Sequence, residues 1–348
     1  MQALCCPECF GDQGLREVII PKRKQTHGQC AYCLSQDVDL IDPRNLADEF
    51  ELLASVYKDD PNGKTLFEWM SADWRLFPKI ESIKAIKLLA DIFDDGDIAR
   101  KTFSPSLADK SDGVGRWATL REELMYKNRY FLDEVLDQDR LRFLLSYLEV
   151  FLPEGDLPKQ WYRARIKSGE HIFSFGEMGA PPKNLATHGR ANPTGIPYLY
   201  LGSVVETAVA EIRPHTGEDV CIAKFTIDKR IKVVDLRSPR TLVHQKMSPF
   251  IDLQESSAIG QMRGDILFLE RLGSELTRPV LPRSAAIDYL PSQYLCEFIK
   301  KSGYDGVLYS SSVSAGVNLA LFDPSNAFAS DVSLYTVDRV SVDVSPTK

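Results

Sequence analysis

No run of eighteen apolar residues occurs anywhere in this 348-residue chain, so no membrane-spanning helix is expected. The N-terminus, Met1-Gln2-Ala3-Leu4-Cys5-Cys6, lacks the basic segment and apolar core of a secretory signal, so a cytoplasmic location is expected. Positive charge is not in excess. The formal net charge is −7, which excludes a basic nucleic-acid coat. Histidine is scarce, with five in the chain and none between residues 44 and 150. There is no Gly-x-Gly-x-x-Gly turn of the kind that opens a Rossmann dinucleotide site, no internal repeat and no low-complexity segment. What remains is an ordinary globular composition, 44% apolar and 26% charged, which excludes wholesale disorder.

Cysteine is the residue whose distribution is uneven. Five of the seven lie within the first 33 positions, in the pattern Cys6-Pro-Glu-Cys9, twenty residues, Cys30-Ala-Tyr-Cys33, with Cys5 beside the first pair. Two C-x2-C knuckles at this separation can offer four thiolates tetrahedrally to one Zn²⁺. A full set of four ligands leaves no open position, so the zinc reads as structural. Cys5 and His27 are candidate substitutes for a ligand, and free thiols in a cytosolic tail are the plain alternative. No strand-to-helix context surrounds either knuckle, which argues against a redox pair. In a reducing compartment no structural disulfide is expected, and Cys221 and Cys296 read as core residues.

Charge divides the chain unevenly as well. Residues 1–43 carry net −2, residues 44–150 net −5, and residues 151–348 net zero. Residues 44–152 read as a small helical bundle, with Leu46, Phe50, Leu53 and Tyr57 on one face of a first helix and an apolar series from Val135 to Phe151 in a last one. Pro153-Glu154-Gly155-Asp156-Leu157-Pro158 is the expected domain boundary. Beyond it come short strands at 198–201, 220–227, 231–236, 304–310 and 317–322, with helices at 204–212, 263–276 and 291–301. An alternating tail over 331–344 suits an edge strand. Strands and helices mix without a regular βαβ rhythm, so the class is α+β.

One region concentrates unusual residues. It runs from Trp161-Tyr162-Arg163-Ala164-Arg165, through Met178-Gly179-Ala180-Pro181-Pro182, Gly189-Arg190-Ala191-Asn192-Pro193-Thr194-Gly195 and Tyr198-Leu199-Tyr200-Leu201, to Glu206-Thr207-Ala208-Val209-Ala210-Glu211-Ile212-Arg213-Pro214. The Gly/Pro-rich stretch 176–197 must be a long loop, and long ordered loops are often functional. It carries Lys183, His188 and Arg190, suited to a phosphate, and an arginine fork matches a diphosphate well. Taken singly each residue has a bland reading: Arg163 a surface cation, Tyr200 a core ring, Glu211 a solvated carboxylate.

Taken together the pattern resembles the RES domain family over roughly residues 160–325. The carrying motifs are R-x-N-P-x-G-x-P-x-L-Y-L-x-S, E-T-A-x-A-E and, about a hundred residues later, G-V-L-Y-S-S and G-x-N-L-A-L-F. That family is named for its Arg, Glu and Ser. The resemblance implies an ADP-ribosyltransferase-like fold and consumption of NAD⁺ by hydrolysis, phosphorolysis or transfer of ADP-ribose to a protein. It implies Arg163, Tyr200, Glu211 and Ser311 as catalytic residues. Arg165 is a near neighbour of the family arginine. The three serines Ser310 to Ser312 stand where a proline commonly precedes the family serine. Arg190, Asn192, Arg165 and Asn318 are expected to bind substrate. Without a Rossmann turn, NAD⁺ would be substrate rather than recycled cofactor. The middle region is similar to the HEPN-like segment found before some RES domains. It lacks the Arg-x4–6-His motif of HEPN ribonucleases, so a structural or regulatory role is expected there.

These readings give three expected parts: a zinc-knuckle, zinc-ribbon-like module over 1–43, a HEPN-like bundle over 44–152 and a RES-like catalytic domain over 158–348. The expected activity is that of an NAD⁺ glycohydrolase or phosphorylase acting as a bacterial toxin or antiphage defence effector. An ADP-ribosyltransferase acting on a protein, and a catalytically inactive recognition protein, are the alternatives. Expected partners are NAD⁺ and an antitoxin or regulatory protein. Self-association is left open, and neither membrane nor general nucleic-acid binding is expected.

Overall fold

Strict alternation along residues 219–226 places Cys221, Ala223 and Phe225 on one side and Val220 and Ile222 on the other, as a strand buried on both faces requires. This strand lies inside an eight-stranded sheet in a computed structural model that describes residues 3–98, 100–106, 112–155 and 157–341. The chain forms two compact units: Met1–Val114 with Arg240–Phe268, and Gly115–Pro239 with Leu269–Lys348.

The first unit holds two small antiparallel sheets. Strands β1 (Thr26–Gly28) and β2 (Val38–Leu40) form one; β3 (Tyr57–Thr65) and β4 (Thr102–Pro105) form the other, with a bulge between Asp59 and Lys64. Helices Ala47–Ala54, Leu66–Trp74 and Ser82–Phe93 accompany them. Thr65 and Glu68 make a capping box at the start of the second, each side chain bonded to the other's backbone N–H. The buried carboxylate of Asp73 receives Arg263 and the hydroxyl of Tyr57 at 3.0 Å, and Arg240 lies 3.9 Å away.

The second unit is built on the sheet of β5 (Glu149–Leu152), β6 (Gln160–Ile166), β7 (Leu199–Gly202), β8 (Asp219–Thr226), β9 (Ile231–Asp235), β10 (Gly306–Ser310), β11 (Val317–Leu321) and β12 (Phe328–Thr336). Their order is β12-β8-β6-β7-β11-β10-β9-β5, antiparallel except for the β9–β10 pair. The main core lies on one face, with Trp161, Leu199, Leu201, Phe225, Leu308 and Leu319 among its members. Helix Val205–Glu211 packs on the opposite face against Ala164, Val220 and Ile222. Cys221 and Cys296 are fully buried.

Two differences from the sequence reading concern 44–152. Helices form there, yet β3 and β4 interrupt them, and the expected final helix is Gln138–Ser146 followed by β5. Strand β5 pairs with β9, so the sheet-bearing unit begins upstream of 153–158. The expected edge strand is β12 at the sheet margin beside β8, but it runs Phe328–Thr336: residues 337–341 are not strand, and Val342 and Val344 fall outside the described residues. Among the described residues no helix is long and apolar enough to cross a membrane.

Candidate active site

The sheet's two-residue period collects the polar candidates on one face. Leu199, Leu201, Leu308 and Leu319 point into the main core, so their neighbours Tyr200, Tyr309 and Asn318 face the other way. Register aligns Tyr309 with Asn318, Asn318 with Gly202, and Gly202 with Tyr162, a row across β10, β11, β7 and β6. Only the last of these pairs joins β6 to β7, so the two strands part beyond it. Gly202 lets helix Val205–Glu211 come close: a Cβ there would lie 2.7 Å from the backbone nitrogen of Ala208. That approach brings Glu211, the last residue of the helix, to the end of the row.

A cavity of about 410 Å³ opens here, with Arg163, Arg190, Tyr200, Glu211, Tyr309 and Asn318 in its walls. Glu211 Oε1 accepts from Ser311 Oγ at 2.7 Å and from the buried Asn318 Nδ2 at 2.5 Å. Among the described residues no hydrogen bond reaches Oε2. Arg163 donates from Nη1 to the Tyr200 carbonyl at 3.3 Å, while its buried Nε has no partner. Burial, with Arg165 adding repulsion, pulls the Arg163 guanidinium down to about 10, still cationic at neutral pH. Burial pushes the phenols of Tyr200 and Tyr309 up, so both remain neutral.

The loop over 186–197 is held by Tyr200. Its hydroxyl donates to Asn192 Oδ1 at 2.7 Å and accepts from the amides of Ala191 and Asn192 at 2.9 and 3.2 Å. The Asn192 side-chain nitrogen in turn donates to the carbonyls of Thr187, Pro193 and Ile196. Gly189 is required where it stands, because a Cβ would meet Asn192 Oδ1 at 2.5 Å and the Tyr200 hydroxyl at 2.6 Å. Arg190 is fixed from three sides: it donates to the Arg278 carbonyl at 2.9 Å and to Ser312 Oγ at 3.5 Å, and its guanidinium lies 5.2 Å from the Tyr289 ring centre.

Of the residues expected to form the site, Arg163, Arg190, Tyr200, Glu211 and Asn318 line the cavity, and Ser311 reaches it through Glu211. Asn192 is buried inside the loop. Arg165 lies over the ring of Phe173, 5.4 Å from its centre, and is not among the lining residues. Ser310 ends β10, Ser311 contacts Glu211 and Ser312 contacts Arg190. Sequence reasoning placed Arg213 in this region without giving it a role, and passed over Tyr289 in the cavity wall and Ser292 and Gln293, which bind the carbonyls of Arg190, Gly189 and Asn192. Ser292 and Gln293 sit in the helix Leu290–Lys301 and Tyr289 in the turn before it, where no local pattern distinguishes them from surface polar residues.

Residues 160–342 match the family model described as RES domain, just over half of the chain. The chain belongs to the RES domain family. No curated protein matches it. A solved structure titled "Crystal structure of the M.tuberculosis MbcT-MbcA toxin-antitoxin complex" is similar at 13% identity, covering 56% of this chain and 92% of that one, with a TM-score of 0.30.

A separate cluster lies in the first unit. The sulfurs of Cys6, Cys9, Cys30 and Cys33 all fall within 4.8 Å of one another, with Cys6–Cys33 at 3.3 Å and Cys9–Cys30 at 3.4 Å. Three of the four are buried. This set could bind a metal ion. The two candidate substitutes are not part of the cluster: Cys5 is tied to Ile41 through its backbone, and both ring nitrogens of His27 face carboxylates, Asp37 and Asp39.

Proposed function

We propose that this RES domain consumes NAD⁺ by breaking the bond between nicotinamide and ribose. The observation that carries the reading is Glu211: a carboxylate lining a cavity that also holds Arg163, Arg190 and Arg213, with Oε1 held by two donors and no hydrogen bond to Oε2 among the described residues. Three guanidinium groups suit the diphosphate of a dinucleotide, and the unpartnered Arg163 Nε is a donor awaiting an acceptor. The nicotinamide leaves with the bonding electron pair and is neutral once free, so it needs no general acid. The ribose carbon becomes oxocarbenium-like, and a fixed carboxylate stabilises that charge. Glu211 Oε2 is also placed to orient the incoming water or phosphate and receive its proton. Tyr200 and Tyr309 line the same cavity and supply the aromatic surface a planar base stacks on.

The test is product identification by mass spectrometry after incubating pure protein with NAD⁺, with and without phosphate. ADP-ribose identifies a glycohydrolase, ADP-ribose 1-phosphate a phosphorylase, and ADP-ribose on a macromolecule a transferase. Unchanged NAD⁺ in all arms would sink the proposal. Unregenerated loss of NAD⁺ harms the producing cell, so toxicity in the cytoplasm and restraint by an antitoxin or by the N-terminal region belong to the same proposal. Growth arrest on expression of wild type, relieved in Glu211→Ala, is the expected cellular outcome.

The cysteine cluster fits one structural zinc ion. Zn–S bonds of about 2.3 Å place tetrahedral sulfurs about 3.8 Å apart, close to the spacing here. The cluster would supply folding energy to the first unit rather than chemistry.

A further inference from the structure

We infer that Asn318 is a positioning residue for Glu211, acting with Ser311 to hold the carboxylate in one orientation so that Oε2 alone meets the substrate. The inference rests on the proposed reading of the site and deepens it.

Three observations support it. Asn318 is 4% exposed on β11 and is backbone-paired on both sides, to Tyr309 of β10 and Gly202 of β7, so its side chain projects from a rigid part of the sheet. Its Nδ2 donates to Glu211 Oε1 at 2.5 Å. Ser311 Oγ donates to the same oxygen at 2.7 Å and itself accepts from the Val313 amide at 3.2 Å, which fixes its hydroxyl. Glu211 is an exposed residue at the C-terminal end of a seven-residue helix, where a free carboxylate would sample several rotamers. Two donors converging on one oxygen remove that freedom and leave the second oxygen uncommitted. A carboxylate preorganised in this way need not reorganise as positive charge develops on the ribose. Asn318 therefore acts through Glu211 and does not itself touch the reacting bond.

The charged and titratable groups lining the cavity with Glu211 are Arg163, Arg190, Arg213, His188, Tyr162, Tyr200, Tyr289 and Tyr309. Among the described residues none of them donates to Oε1, which accepts only from Ser311 and Asn318.

The experiment compares full-length wild type, Asn318→Ala and Asn318→Asp. In Asn318→Ala, kcat for NAD⁺ loss is expected to fall by about tenfold or more, with KM changed less than about threefold. A purely structural role would lower thermal stability and disturb KM together. Asn318→Asp puts a second carboxylate against the first. The pair can hydrogen-bond only when it shares a proton, so activity relative to wild type should rise as pH falls. Asn318→Ala with wild-type kcat, or Asn318→Asp with a relative activity independent of pH, overturns the inference. If wild type itself spares NAD⁺, the functional reading fails, and crystal structures decide the positioning claim alone. Glu211 displaced or spread over rotamers in Asn318→Ala supports it, and Glu211 unmoved refutes it.

Discussion

Glu211 and Tyr200 carry different kinds of burden, and substitution separates them. On the proposed reading Glu211 meets the reacting centre, so Glu211→Ala should lower kcat for NAD⁺ loss at least about a hundredfold, roughly 3 kcal/mol of transition-state stabilisation, with the fold intact by circular dichroism. Tyr200 meets the loop. Tyr200→Phe keeps the ring but strands two backbone amides and Asn192 Oδ1, so unfolding in urea should show a loss of about 1–3 kcal/mol. KM should rise more than kcat falls, because Arg190 rides on that loop. An unchanged urea midpoint would show that water replaces the hydroxyl. The candidate residues Arg163, Tyr200 and Glu211 were legible because their flanking motifs are specific. That Asn192 staples a loop and Arg165 lies over Phe173 was not legible, since an amide or a guanidinium looks the same in sequence whether it meets a ligand or a backbone carbonyl.

The strands from β7 to β12 were readable because their alternation or apolar runs reflect burial on one or both faces of a sheet. Strands β3, β4, β5 and β6 were not. Asp59-Asp60-Pro61-Asn62-Gly63 reads as a break, yet β3 runs through it as a bulge, and only its pairing with β4 makes it a strand. Glu149-Val150-Phe151-Leu152 continues a helical apolar series, and it becomes β5 because the edge of β9 is there to pair with. The junction of β7 with helix Val205–Glu211 offers a test of such context. Gly202→Val would drive a branched side chain into the Ala208 backbone and displace the helix that carries Glu211. Activity should fall about as far as in Glu211→Ala, with a stability loss of about 1–3 kcal/mol or more on thermal unfolding.

Two buried groups tie distant parts of the chain together within the first unit. Asp73 receives Arg263, 190 residues later in sequence. Asp73→Ala leaves that guanidinium and the Tyr57 hydroxyl without their acceptor, so the first unit should lose about 3–5 kcal/mol, seen as an early transition in calorimetry. The cysteine cluster predicts about one zinc per chain by elemental analysis. A strong chelator, or Cys30→Ser, should lower the melting temperature of the first unit. No bound metal in the purified protein, with unchanged melting in Cys30→Ser, would refute the structural-zinc reading.

The motif series from Arg163 to Asn318 is a set of local facts that was enough to place this chain in the RES family, and together with the absence of a Rossmann turn it nominated the chemistry, as cysteine spacing nominated a zinc site. Local pattern can do this because a turn, a knuckle or a strand face is specified by residues a few positions apart. The partnership of Glu211 with Ser311 and Asn318, the grip of Tyr200 on the 186–197 loop and the position of β5 join residues as much as 107 positions apart. Only sheet register and close packing bring such groups within hydrogen-bonding distance, and register is decided by the whole sheet at once.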